Sequence, residues 1–381
     1  MTARVLILWN QVDEDVYSHY RREDRRTVDW NPSIEIEPWE TVEEEMLLIQ
    51  RSIETAGHTV AMVNICDNFD TMLDALRSFK PDVVVNLVEF FHDDAELEHD
   101  IPALFELLGI EYTGNRPLSL SLCQKKPQAK ALLMANGLPV PKGVVIDELA
   151  QIPSVLNKLG TADGLRRPIM VKPAYDDASG GIDTGSVCHD AAQLEARITK
   201  MLTEHKQSAL VEEYIDGREI HCAILGDKPL PLYEMQFKGG TDEHGKPLPR
   251  IITYRAKWDP YSRDHHAVEG VCPVPDLEPE TVKYIQDVAL RAYRALNCRD
   301  YARVDMRLDP NTGEPYILEV NPNPDLAESC AFNTSSVASG RTYAQMLCEI
   351  VGLAIARKNG PRKVSAGVDA LLHEYKAKQK A

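Results

Sequence analysis

The chain has 381 residues, 44% hydrophobic and 27% charged, the composition of an ordinary globular protein and a length that implies two or three domains. Its 59 acids against 42 lysines and arginines give a formal charge of −17, so it lacks the positive field that nucleic acids and anionic membranes require. Any anionic ligand must therefore be met by locally placed lysine or arginine. The one basic region is residues 357–381, with a net charge of +5 against −22 for the remainder. No apolar run approaches the roughly 20 residues of a membrane span, and residues 5–9 are too short for a signal-peptide core, so a cytoplasmic protein is expected. The eight cysteines lie at least 18 residues apart with no CxxC pair, a pattern of buried free thiols rather than of disulfides or a zinc site.

Residues 4–9 (RVLILW) make a short apolar run suited to a buried strand. Residues 10–45 are charged and carry Trp30 and Trp39. The stretch is long for a strand-to-helix connection, and its two tryptophans favour at least partial order. Residues 46–56 place apolar side chains at helical spacing until Gly57 stops the helix. Residues 58–65 read as a strand, 71–79 as a helix and 81–88 as a third strand. This alternation predicts a doubly wound parallel sheet, hence an α/β fold. A helix over 101–108 ends at Gly109, a strand and turn follow at 110–114, and one helix is expected over 119–135. Beyond the Gly137–Pro141 break, residues 169–172 and 210–214 are β-rich, and 219–225 opens a hairpin turning at Gly226. Amphipathic helices are expected at 281–296 and 341–356.

The most informative stretch is residues 301–324, YARVDMRLDPNTGEPYILEVNPNP. Side chains alternate across a strand, so Val304, Met306 and Leu308 share one face and Arg303, Asp305 and Arg307 the other. On the returning strand Tyr316, Leu318 and Val320 are expected on one face, with Ile317, Glu319 and Asn321 on the other. If Leu308 pairs with Tyr316, Asp305 falls opposite Glu319, with Asn321 one step beyond. Two carboxylates and an amide oxygen on one face suit a hard cation such as Mg²⁺, which takes a few oxygens and completes its shell with water and phosphates. Arg303 on that face could hold a transferred anion. The alternative is a merely solvated polar face.

Lys172 leaves the apolar run 169–171 beside the small-residue loop containing Ser179, Gly180 and Gly181, a combination of one positive charge and open backbone N–H groups that suits phosphate. Lys126 sits on or near the 119–135 helix. The strand containing Glu212, Glu213, Tyr214 and Ile215 could hydrogen-bond a base through its backbone, and Glu219 could take ribose hydroxyls. Taken singly, each of these is unremarkable, and an exposed lysine or a glycine turn needs no ligand.

Their joint order resembles the ATP-grasp superfamily, in its D-alanine:D-alanine ligase-like branch. The matching segments are Tyr112-Thr113-Gly114 and residues 126–141, 169–181, 210–226, 256–257 and 303–324. The resemblance implies ATP gripped between two α+β subdomains, with an N-terminal α/β domain over 1–118 carrying the 10–45 insertion, a central subdomain over 119–215, a C-terminal one over 216–356 and a basic tail over 357–381. It implies a carboxylate–amine ligase working through an acyl phosphate and releasing ADP. Carried over by position, Lys126 and Lys172 would hold ATP phosphates, and Ser179 and Gly181 would belong to the loop covering them. Glu212, Glu213, Tyr214 and Ile215 would form the adenine strand, with Glu219 at the ribose. Asp305, Glu319 and Asn321 would bind Mg²⁺ or Mn²⁺, Arg303 would stabilise the acyl phosphate, and Lys257 would come from a mobile loop over the γ-phosphate. Small-molecule carboxylate and amine substrates are implied, and a homodimer, as related ligases commonly form.

The chain also departs from the family. His-Gly elements of the family are replaced by Asn10-Gln11-Val12-Asp13 and by residues 89–94. Trp258 stands where the family has tyrosine, Asp325 where it has glycine, and Cys330 at about the place of a serine that grips the second substrate's carboxylate. These three residues become candidates for the substrate pocket, and Asp325 would suit an amine or guanidine unless it serves as a helix N-cap. His244, His265 and His266 are read as loop histidines. Two other functions remain: a D-alanine:D-alanine ligase with altered specificity, and an ATP-grasp kinase or non-catalytic nucleotide-binding module.

Overall fold

The structure, a computed structural model, describes residues 2–12, 26–36, 40–176 and 178–359. It opens with β1 (Arg4–Trp9), buried from Val5 to Trp9. The long connection after it contains a small antiparallel hairpin, β2 (Thr27–Val28) with β3 (Asn31–Glu35). Trp39 and the rest of that stretch at 13–25 and 37–38 lie outside the described residues. The helix Val42–Glu54 starts at a Thr41–Glu44 capping box, with three glutamates in its first turn favoured by the N-terminal dipole. β4 (Thr59–Asn64), β5 (Val83–Leu87) and β6 (Glu111–Tyr112) complete a parallel sheet of order β4-β1-β5-β6.

Both faces of this sheet are covered, which is why β1 reads as a continuous apolar run. Val5 and Ile7 pack with Ile49, Ile53 and the helix Tyr343–Asn359 through Met346 and Ile350. Leu6 and Leu8 pack with Met72, Leu76 and Phe105 on the opposite side. The last helix thus ties the C-terminal end of the described chain to the N-terminal sheet. Arg357 reinforces the tie through ion pairs to Asp300 and, at 2.7 Å, to Glu111. Residues 360–381, most of the basic tail, lie outside the described residues.

A second, antiparallel sheet is built from β7 (Gly143–Ile146), β8 (Ile169–Pro173), β9 (Val187–Cys188) and β10 (Ala209–Glu213), in the order β7-β10-β8-β9. Helix Ala191–Thr203 covers it, with Leu194 and Ile198 on Ile169, Val171 and Val211. The third sheet contains β11 (Arg218–Leu225), the short β12 (Lys228–Pro229) paired to it, β13 (Tyr233–Phe237), β14 (Val268–Val271), β15 (Tyr301–Leu308) and β16 (Pro315–Asn321), with the order β14-β13-β11-β15-β16. One face carries Ile220, Cys222, Val304 and Met306 against Val288 and Ala292 of helix Pro279–Ala295 and Ala129 and Leu133 of helix Lys126–Ala135. The other face carries the charged residues.

Three expectations from sequence are corrected. Residues 119–135 are not one helix: Pro117–Gln124 and Lys126–Ala135 are separated at Lys125, because Pro127 has no N–H to donate and its ring would strike the carbonyl four residues back. In the hairpin, Leu308 pairs with Pro315 rather than Tyr316, and a bulge between Asp305 and Met306 then restores Asp305 opposite Glu319. The extra residue turns Ile317 into the core beside Met306, so it does not share the face of Glu319. All eight cysteines are free, but only Cys123, Cys188 and Cys222 are buried; Cys272, Cys298, Cys330 and Cys348 are half-buried and Cys66 is exposed. Among the described residues no helix is long and apolar enough to cross a membrane.

Candidate active site

The polar face of the third sheet concentrates charge by strand alternation. Along β15 the side chains of Arg303, Asp305 and Arg307 point to that face, and antiparallel β11 sets Ala223, His221 and Glu219 opposite them. Arg303 forks onto Asp305 with donor distances of 2.7 and 2.8 Å. Burial would raise the Asp305 carboxyl, but Arg303 and His221 outweigh it and hold it below the usual carboxylate range. Arg307, 3% exposed, pairs with Glu219 at 2.8 Å and lies between the rings of Tyr214 and Phe237. Glu219 is likewise buried, yet Arg307 and His221 bring its pKa down to about 2.

β16 adds the second carboxylate. Asp305 pairs with Glu319 and Arg303 with Asn321 across the hairpin. The Asn321 amide oxygen accepts from the Asn323 N–H at 3.0 Å, which fixes its orientation at the exit of the strand. Lys126 Nζ lies 3.6 Å from Glu319, and its other contact is the Asp176 carbonyl in the loop after β8. The donor set of Asp305, Glu319 and Asn321 is all oxygen, which fits a hard divalent cation. Among the described residues no three His, Cys, Asp or Glu side chains converge as a self-sufficient metal cage, so such an ion would depend on oxygens from a nucleotide and water.

A second charged cluster lies where β8 and β10 meet the helix Lys126–Ala135. Glu212, 2% exposed, is held between Lys130 and Lys172, each at 2.8 Å. Burial would raise its pKa, but the two ammonium groups keep it low. Burial brings Lys130 down to about 8 against the pull of Glu212, with Lys172 adding repulsion. For Lys172, the carboxylates of Glu212 and Glu319 overcome the burial effect and the shift is upward. The two charged clusters therefore act on each other through Glu319.

β10 stops at Glu213, short of the expected 210–214 run. The Glu213 and Tyr214 N–H groups are already bonded to Lys142 O and Pro168 O, and the Glu213 side chain pairs with Arg166 at 2.9 Å. Tyr214 and Ile215 lie beyond the strand and, with Arg166, Asp216 and Asp309, line an open groove.

Two loops come together over this region. Ser179 and Gly181 both have positive φ, and a Cβ at Gly181 would meet Pro173 Cγ at 2.9 Å, so glycine is required there by space as well as conformation. Trp258 Nε1 donates to Ala178 O at 3.1 Å, joining this loop to the short helix Tyr254–Trp258. Lys257 is exposed with its ammonium 4.9 Å from the Trp258 ring centre. Asp325 is exposed and accepts from the Ala327 N–H at 2.8 Å in a local turn; the N-cap of the following helix Ala331–Ala338 is Cys330. The Cys330 thiol donates to Asp325 O, and burial with the Asp325 charge pushes it up to about 12.

Three residues of this constellation, Lys130, His221 and Glu98, escape a reading from sequence. Lys130 follows Lys126 by one helical turn, a spacing that could have marked it. His221 alternates with Glu219 on β11, and lies 3.4 Å from Glu219 and 3.9 Å from Asp305. The face of Arg307 follows from strand alternation, and the structure adds its partner Glu219. Glu98 carries no local signal; it accepts from Asn323 Nδ2 at 2.8 Å and links the segment after β5 to the exit of β16. His265 and His266 occupy a four-residue helix, Arg263–His266, and bond to the backbone.

Residues 132–352 match the family model described as D-ala D-ala ligase C-terminus. An uncharacterized protein, y4sG, of Sinorhizobium fredii is 32% identical over 320 residues, covering 81% of this chain and 87% of its own length. A D-alanine–D-alanine ligase of Xanthobacter autotrophicus is 27% identical, covering 79% and 89%. A crystal structure of D-alanine–D-alanine ligase from Bacillus anthracis complexed with ATP superimposes with a TM-score of 0.63 at 20% identity, covering 94% of this chain and 99% of the other. The matched segment spans the last four residues of helix Lys126–Ala135 and every strand from β7 to β16, so it carries the strand residues of both charged clusters, while Lys126 and Lys130 lie just before it. By its sequence and its fold, this chain belongs to the D-alanine–D-alanine ligase-like family of ATP-grasp proteins.

Proposed function

We propose that the protein is an ATP-dependent ligase that joins a small carboxylic acid to an amine through an acyl phosphate, releasing ADP and phosphate. The observation that carries this reading is the register that sets Asp305 opposite Glu319, with Arg303 and Asn321 paired beside them and Lys126 3.6 Å from Glu319. In this reading Lys126 and Lys172 hold the phosphate chain, and ATP displaces the internal pairing that Glu212 now supplies. The Ser179–Gly181 turn offers backbone N–H groups to the phosphates. Ile215 and its neighbours meet the adenine, and Glu219 the ribose. Asp305, Glu319 and Asn321 hold Mg²⁺, which neutralises phosphate charge when bound. Arg303 turns from Asp305 toward the developing oxyanion, and Lys257 closes over the γ-phosphate. The carboxylate of the first substrate attacks that phosphorus with loss of ADP; the amine then attacks the acyl carbon and phosphate leaves.

Asp325 and Cys330 mark the second-substrate side. An exposed carboxylate at 325 favours a cationic group and disfavours a substrate carboxylate nearby. The test is product analysis with ATP, Mg²⁺ and a pool of acids and amines. ADP and phosphate are expected only when both substrate classes are present; AMP and pyrophosphate would contradict the mechanism. The named relatives favour a second reading, D-alanine ligation, and ADP release with D-alanine alone would establish it. A phosphorylated small molecule without free phosphate would identify a kinase.

A further inference from the structure

The insertion after β1 reaches the loop that carries Lys257. Trp30, in the turn between β2 and β3, donates its Nε1–H to Tyr261 O at 2.8 Å. The Arg263 guanidinium stacks on the same ring at 4.8 Å, and His266 meets it edge-on at 5.6 Å. Three contacts of different kinds thus converge on one indole from a segment more than 200 residues away in sequence. The hairpin is itself anchored, since Val28 is fully buried.

The segment that Trp30 grips is rigidly joined to the Lys257 helix. Ser262, 1% exposed, donates to the carbonyls of Arg255 and Asp259. His265 Nδ1 donates to Ala256 O at 3.0 Å, and buried Thr253, the N-cap of helix Tyr254–Trp258, donates to Asp264 at 2.6 Å. Held at 261–266, residues 253–258 are held too. Trp258 then continues the chain of contacts to Ala178, so the N-terminal insertion, the Lys257 loop and the Ser179–Gly181 turn are connected across the site.

We propose that the β2–β3 hairpin is a strap and Trp30 a positioning residue that holds Lys257 over the phosphate end of a bound nucleoside triphosphate. The proposal rests on the reading that Lys257 covers the γ-phosphate. Without the strap, the loop spends less time in the arrangement competent to bind that phosphate, and apparent affinity falls by the competent fraction. The effect is confined to ligands that carry the β- and γ-phosphates, because among the described residues the contacts of Trp30 lead to the site through this loop.

The test uses the full chain and titrates an ATP analogue with a non-hydrolysable β,γ-imido bridge, with Mg²⁺, and separately AMP. Trp30→Ala is expected to weaken the analogue about tenfold and leave AMP unchanged. Trp30→Phe keeps an aromatic ring but loses the indole N–H, and is expected to weaken it about threefold; it also decides the matter should the alanine variant fail to fold. Lys257→Ala should weaken the analogue similarly, and adding Trp30→Ala to it should have no further effect. Equal losses for the analogue and AMP, or no loss from either Trp30 variant while Lys257→Ala weakens binding, would overturn the strap. An unchanged analogue affinity in Lys257→Ala would instead overturn the reading of Lys257 on which it rests.

Discussion

The two sides of the site are built differently. On the proposed nucleotide side, Lys130, Lys172, Glu212, Glu219, Asp305 and Arg307 sit on strands or a long helix, each at most 8% exposed and each in an ion pair. On the proposed substrate side, Asp325 and Cys330 lie in an irregular segment, one exposed and one half-buried. A buried charge whose partner lies on another element cannot be replaced without leaving that partner uncompensated. An exposed loop carboxylate has no such tie.

The contrast can be broken most decisively at Glu319. Glu319→Gln is expected to cut ligase turnover about a thousandfold or more, with the melting temperature almost unchanged, because a proposed metal ligand is lost without a change of shape. ADP release beside thermal unfolding measures both, and undiminished turnover would remove the metal assignment. Next in size, Glu212→Gln leaves Lys130 and Lys172 buried without a full counter-charge, and should cost roughly 3–5 kcal/mol in urea unfolding. A loss under 1 kcal/mol would mean that the buried cluster does not constrain the fold.

Acid should act on the same side. Glu219 has a folded pKa of about 2 against an ordinary 4.5, so its contribution is complete above about pH 4.5 and is lost as the pH falls toward 2. The difference corresponds to stability on the order of 3 kcal/mol. Urea midpoints followed downward from pH 6 should show a steeper acid decline for the parent chain than for Glu219→Gln; parallel curves would refute the shift. The smallest effect on stability belongs to the substrate side. Asp325→Gly should change stability by less than about 1 kcal/mol and alter KM for the amine far more than KM for ATP. Equal changes in both would erase the distinction between the two sides.

Much of the nucleotide side was legible in the chain because strand alternation is local. Arg303, Asp305 and Arg307 share a face by period two, and Asp305 does oppose Glu319. The route to that pairing was not legible: the expected Leu308–Tyr316 register is off by one, and a bulge compensates. A bulge depends on how the hairpin meets the core, where Ile317 is drawn in beside Met306, and no local spacing encodes it. The Asp325 turn and the Cys330 cap were also hidden, since an Asx turn and a helix cap begin with the same residue types.

By itself the sequence determined the α/β alternation, the charged face of the hairpin, the ordered set of lysines and the family they resemble. Each is a matter of residue type at short spacing. Only the tertiary structure decided that β11 lies beside β15 and brings His221 and Glu219 to Asp305 and Arg307, that Lys130 shares Glu212 with Lys172, and that Trp30 reaches Tyr261. Those neighbours are far apart in the chain. They meet because apolar faces must be buried, and the polar side chains carried with them then find partners in the low-dielectric space this creates.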